Sequence, residues 1–328
     1  MIRSVLCARC PAVRAEFHAR GASWMPLIGA LVIKEFQTWL RGRLTFAAFT
    51  LLVLFVALLV FLLGMLILAP DANAAPALFS TTSTTTTNLL VANRAIFLFG
   101  AVGLCVILAS AVVAPAVSAS AFAGERERGT LDLLLLQGPG PARIVLGKVL
   151  AALVFSLLLL AVGVPFFAPA WSFGGVQPDQ VIALITILCT VTLFFCALGV
   201  FFGAVLRGAL QAALFAQGVA LFVVFGTLGL HLAFVILGGN DAFRPLLWLN
   251  PFLALLSGGG AATDAFARGA PAAYRGVLSL PPQSWAPGLL LPAWVIGSLA
   301  WTALAVLLVV AAAVAIEPTH PLKGRRAR

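Results

Sequence analysis

Six stretches of this chain are too long and too apolar to form the interior of a soluble domain: residues 44–68, 95–123, 144–168, 181–206, 212–237 and 288–315. Each exceeds the roughly 20 residues that a helix needs to cross hydrocarbon, so each reads as a tilted transmembrane span. An even number of spans puts both termini on one side. The expected fold class is therefore an all-α polytopic membrane protein, with a six-span transmembrane domain over residues 44–316.

Composition removes the alternatives. With 62% hydrophobic and 9% charged residues and a mean hydropathy of +1.12, the chain has no room for a soluble catalytic domain. The formal charge of +10 raises the question of nucleic acid. The basic residues instead flank the apolar runs, without the continuous aromatic-interleaved stripe that nucleic acid requires. Their distribution sets orientation. Placing residues 1–43, the loop from Glu125 to Lys148, Arg207 and the tail from Lys323 on one side collects sixteen of the 20 Lys and Arg there. By the positive-inside rule that side is the cytoplasm, and it holds both termini. Trp171, Trp248, Trp285 and Trp294 then mark the outer interface and Trp39 the inner one. Trp301 falls inside the sixth span with no role that the sequence explains.

Residues 1–27 read as a basic cytoplasmic tail without the apolar core or cleavage site of a signal peptide, and Met25 is an alternative start. Over residues 28–43, Ile28, Leu31, Val32, Phe36, Trp39 and Leu40 share one helical face and Lys34, Gln37, Thr38 and Arg41 the other. This is an amphipathic helix for the cytoplasmic interface. The run Ser80–Thr87 reads as a flexible part of the first outer loop. In the last outer segment, Pro245–Leu256 is too short to span and too apolar for a free loop. It reads as a re-entrant or interfacial helix, the alternative being a loop on the lipid headgroups. Residues 317–328 form a second basic tail. Cys105, Cys189 and Cys196 fall in apolar runs as small buried thiols, and Cys7 and Cys10 supply two ligands where a zinc site needs four, so no metal is expected.

One loop has a structure of its own. From Glu125 to Lys148 the chain reads E-R-E-R-G-T-L-D-L-L-L-L-Q-G-P-G-P-A-R-I-V-L-G-K. An apolar helix ends at Ala123-Gly124, and alternating charges mark entrance into water. Thr130 is placed to cap a short helix over Leu131–Gln137, and Asp132 suits its positive end. Gly138-Pro139-Gly140 stops it, and Pro141 sits in the first turn of the next helix. Five leucines in seven positions need a cover, either the bilayer surface or a partner protein.

That order of elements resembles the signature between the second and third spans of ATP-binding-cassette (ABC) permeases of the type-2 exporter class. The matching residues are Glu127, Arg128, Gly129, Thr130, Leu131, Leu134, Leu135, Pro139, Gly147 and Lys148; Gln137-Gly138-Pro139 stands where the family has Thr-Pro. The resemblance extends to the amphipathic helix before the first span. It implies a coupling helix that touches a cytoplasmic ABC ATPase subunit, with Glu125, Glu127, Arg128, Gly129, Thr130, Leu131, Leu134, Leu135 and Arg143 as the contact residues. It also implies an outer segment that caps the path, a second permease copy or a related permease, and export across a bacterial plasma membrane.

The missing chemistry agrees. His18, His231 and His320 have no metal-ligand spacing, and no nucleophile and base can be paired. Gly147-Lys148 does not end a phosphate loop, because Ala142 and Val149 replace the Gly and Ser or Thr that one needs. The chain has no ATP site or cofactor of its own, and no Asp or Glu falls within a span to couple transport to ions. Gln217 and His231 read as helix-helix hydrogen bonds and Arg94 as an interfacial anchor. Gly199-x-x-x-Gly203 permits close helix packing. A membrane scaffold or assembly factor that docks a cytoplasmic partner without transport is the alternative reading of the same loop.

Overall fold

The computed structural model describes residues 84–129, 140–161, 163–168, 178–206, 208–227, 249–251 and 293–316, and single positions at 50, 54, 57, 58, 61, 62, 171, 176, 229, 230, 233 and 254. For residues 84–97 it describes the backbone alone. The elements are α1 (Thr84–Glu127), α2 (Pro141–Ala161), a 3-10 turn (Val164–Phe167), α3 (Pro178–Val205), α4 (Ala209–Leu221), which runs on into a π-helix (Phe222–Gly226), and α5 (Ala293–Ile316). All described residues in regular structure are helical. Among the described residues, five segments are long and apolar enough to cross a membrane: Leu98–Glu127, Pro141–Ala161, Gln180–Val205, Ala209–Gly226 and Trp294–Ile316. They coincide with the second to sixth apolar runs. The first run, apart from six positions, lies outside the described residues, as do the amphipathic helix 28–43, both tails and Leu131–Gln137.

Helix α1 overruns its apolar stretch at both ends. Its 44 residues extend about 66 Å at 1.5 Å per residue, twice the thickness of hydrocarbon. Thr84–Thr87 belong to its first turn, so this half of the run read as flexible is helical, and residues 80–83 lie outside the described residues. Threonine is a poor nucleator, but extending an existing helix costs little. At the other end the helix continues through Glu125 and Arg126 to Glu127 instead of stopping at Ala123-Gly124. The charges there are not solvated singly; they have partners on other helices. Gly129 then turns the chain with φ +66°, a left-handed conformation that glycine adopts without a Cβ penalty.

Helix α2 begins at Pro141, with Gly140 O accepting from Arg143 N (2.9 Å). It ends at Ala161, earlier than the apolar run, because Pro165 has no N–H to return to the Ala161 carbonyl. A 3-10 turn follows, closed by Phe166 N donating to Gly163 O at 3.1 Å.

Helix α1 packs on α3, α4 and α2, while α5 packs on α3 and α2. Two thirds (67%) of the α1 span is buried, against 22% for α4 and α5, so α1 is central and the last two are peripheral. Glycine makes the α1–α3 contact possible. A Cβ on Gly199 would overlap Ser118 Oγ and lie 2.5 Å from Pro115 O, and one on Gly203 would lie 3.0 Å from Ala119 O. The small-residue pair of α3 is therefore occupied within one chain. Across α1, Ala119 and Ala123 meet Ala212 and Ala216 of α4, all fully buried. The i, i+4 spacing on both helices lets the backbones approach.

Trp301, unexplained by its sequence position, is a core residue 2% exposed. Its ring lies 4.7 Å from that of Phe194, tilted by 54°. Within Pro245–Leu256, Ala254 N donates to Asn250 O (3.0 Å), the four-residue spacing of a helical bond. Asn250, Pro251 and Ala254 are buried, so these residues of the segment pack inside the protein. The π-helix receives them. Thr227 N–H bonds back five residues to Phe222 O, and the Thr227 hydroxyl takes the carbonyl thus skipped, Val223 O (2.7 Å). Asn250 Nδ2 donates to Val224 O and to Thr227 Oγ1, both at 2.8 Å.

Candidate functional site

The charged end of the bundle is built from three consecutive residues of α1. At the end of a helix, successive side chains point about 100° apart, so three neighbours can address three directions. Glu125, Arg126 and Glu127 do so, each reaching a different helix.

Glu125 turns to α2, where its Oε2 lies 3.0 Å from Lys148 Nζ. The Lys148 side chain is fully buried and that of Glu125 is 16% exposed. The ammonium also donates to Ala121 O (3.0 Å) and stands 5.6 Å from the centroid of the Phe122 ring. Carboxylate, carbonyl and ring face together replace the water that an ammonium would otherwise hold. A buried Lys–Glu pair thus lies at the ends of two spans, which corrects the view of Lys148 as one more loop charge. The signal was present. Lys148 falls with Ile144, Val145, Val149 and Ala152 on the buried face of α2, a periodicity that puts it in the core.

Arg126 turns to the end of α3. Its Nη1 donates to Ala204 O (2.5 Å) and Leu206 O (3.4 Å), meeting carbonyls that a helix C-terminus leaves without partners. Glu127 turns to the start of α4, its Oε1 accepting from Ala209 N at 2.7 Å. The N-cap residue there is Gly208, in extended conformation with no side chain to offer, so the cap comes from another helix. A carboxylate at a helix N-terminus and a guanidinium at a C-terminus also suit the two helix dipoles. Residues 125–127 therefore tie α1 to α2 and to both sides of the tight α3–α4 turn.

Of the residues expected to meet a partner, Glu125 and Glu127 have contacts within the chain, and Arg143, exposed in the first turn of α2, has one also. Arg128 and Gly129 are exposed at the tip of α1. Thr130, Leu131, Leu134 and Leu135 lie outside the described residues.

Two polar contacts lie deeper in the bundle. Gln217 of α4 donates to Ala111 O of α1 (2.9 Å), the helix-helix bond anticipated for it. Ser110 and Thr192 share a hydrogen bond at 2.8 Å between α1 and α3; neither drew notice in the sequence, since hydroxyls inside apolar runs are common. His231 lies outside the described residues, and Arg94 is in α1 with only its backbone described. Cys105 and Cys196 are buried, and Cys189 partly so.

Residues 29–316 match the family described as ABC-2 family transporter protein. No curated protein matches the chain.

Proposed function

This chain belongs to the ABC-2 transporter family, and from that premise we propose that it is the membrane half of an exporter driven by a separate cytoplasmic ATPase subunit. It is a membrane permease, and its own residues bind, transmit and move; ATP is bound and hydrolysed by the partner. The partner seats on the loop between α1 and α2, with Arg128, Gly129 and Thr130 at its near edge, Arg143 at its far edge, and Leu131, Leu134 and Leu135 of a coupling helix over Leu131–Gln137 filling the seat. Two permeases, either copies of this chain or this chain and a relative, enclose the path.

The observation that supports this reading is the clamp at the base of the loop. A loop whose two ends were free would absorb a push. Here its ends are joined through Glu125 and Lys148, 3.0 Å apart, and through Arg126 and Glu127 to the α3–α4 turn. A displacement of the loop then carries the ends of four helices together.

The test co-expresses the full chain with each candidate ABC ATPase of its source genome. Co-purification at equal stoichiometry is expected. Arg128→Glu, which alters an exposed residue, should cut recovered ATPase at least about tenfold, the equivalent of roughly 1.4 kcal/mol, while leaving the permease's melting midpoint unchanged. Unaltered capture by that variant, or a cysteine at position 128 labelled from outside intact cells, sinks the coupling assignment. A chain that never captures an ATPase supports the scaffold alternative.

A further inference from the structure

Near the middle of the apolar span of α1, Leu98–Glu127, a proline interrupts the backbone ladder. Pro115 has no N–H, so the carbonyl of Ala111, four residues earlier, loses its ordinary donor. Both residues are buried. In the apolar centre of a bundle no water is at hand, and an unpaired carbonyl is costly.

The missing donor arrives from another helix. Gln217 Nε2 of α4 lies 2.9 Å from Ala111 O, the carbonyl that the proline orphans. The other carbonyls around the break are served from within α1, Ser118 Oγ donating to Ala114 O at 2.7 Å and more weakly to Pro115 O at 3.3 Å. Gly199 of α3 closes against Pro115 O and Ser118. Among the described residues, the long-range side-chain donor at the break is therefore Gln217. Proline is a common cause of helix kinks, because the lost bond removes the restraint on bending; here that restraint is supplied in trans.

We infer that Gln217 is a positioning residue that locks a proline hinge in α1, fixing the angle between its two halves. While the bond holds, the half from Thr84 to Ala111 and the half ending in the charged clamp move as one rod with α4. When it opens, the first half swings independently. This goes beyond the proposed ATPase coupling and does not depend on it.

The test reads the bend of α1 directly. Spin labels at Thr87→Cys and Ser120→Cys, in the full chain with its native cysteines replaced and reconstituted in lipid nanodiscs, report the separation of the two halves. The wild-type background should give one narrow distance distribution. Gln217→Met keeps the side chain's length but removes the donor; it should about double the width and lower the melting midpoint by about 3 °C. Adding Pro115→Ala gives position 115 an N–H for the Ala111 carbonyl, so Pro115→Ala/Gln217→Met should return to the narrow distribution and the original midpoint. Ordinary helix-helix adhesion by Gln217 would leave the double variant as impaired as the single one, and that result overturns the hinge. So does a Gln217→Met distribution as narrow as wild type. If Gln217→Met does not accumulate, its recovery by Pro115→Ala supports the lock, and failure to recover refutes it.

Discussion

Helix α1 is held to its neighbours in two places, and the chemistry of the two differs. At its charged end the ties are ionic or charge-assisted: Glu125 to Lys148, Arg126 to the carbonyls of Ala204 and Leu206, Glu127 to Ala209 N. Midway along the bundle they are neutral: Gln217 to Ala111 O, Ser110 to Thr192, and glycine or alanine surfaces between. The difference follows from what each place can solvate. Helix ends present uncapped N–H and C=O groups and partial charges that ionic side chains complement. Mid-bundle, an ionised group is too costly to keep, and close packing with neutral hydrogen bonds must suffice. The charged end can therefore be strong and still open to a partner, whereas the middle is held by many small contacts.

The sharpest way to break this comparison is at Lys148. Glu125→Ala takes the carboxylate from a buried ammonium and should cost about 3–5 kcal/mol in unfolding free energy, measured in detergent by chemical denaturation. Glu125→Ala/Lys148→Met should regain most of that, because an apolar pair needs no charge compensation. A cost near that of an exposed pair, below about 1 kcal/mol, would show that the charged end is no stronger than the middle.

Next in size is the glycine seam. Gly199→Val drives a branched side chain into Pro115 O and Ser118 and should cost about 3 kcal/mol, whereas Gly203→Ala, where the nearest atoms stand at 3.0 Å, should cost about 1 kcal/mol. Equal costs would mean that α1 and α3 can move apart freely. Asn250→Ala should cost about 1–2 kcal/mol by leaving the buried acceptors Val224 O and Thr227 Oγ1 without a donor, and should speed proteolysis of the segment before α5. Smallest of all, Ser110→Ala should cost about 0.6 kcal/mol, and adding Thr192→Val little more, since neutral hydroxyl pairs within a membrane are worth that much on average. A Ser110 effect as large as that of Glu125 would erase the distinction between the two regions.

Much of this architecture could be read in advance. The five described spans fall where the apolar runs predicted them, and the start of α2 falls at Pro141 because the Gly-Pro sequence leaves few options. Gln217 was legible as a helix-helix donor, since a buried amide must find a partner. The acceptor was not: only the fold brings α4 against the carbonyl that Pro115 had orphaned, 106 positions earlier in the chain. Glu127 illustrates the same limit. In sequence it belongs to a charged loop motif, and in the structure its carboxylate caps a helix whose N-cap glycine has no side chain. Nothing local links residues 127 and 209.

What the sequence determined alone is the solvent in which each segment lives. Run length and hydropathy select helix and bilayer with no reference to neighbours, because the free energy of transferring apolar side chains sums along the chain. What only the tertiary structure decided is which polar atoms meet: the buried Lys148 with Glu125, the capping by Arg126 and Glu127, and the lock at Ala111. Such pairings depend on direction and distance between segments far apart in the chain, and an orphaned backbone group specifies only that it needs a partner, not which helix will bring one.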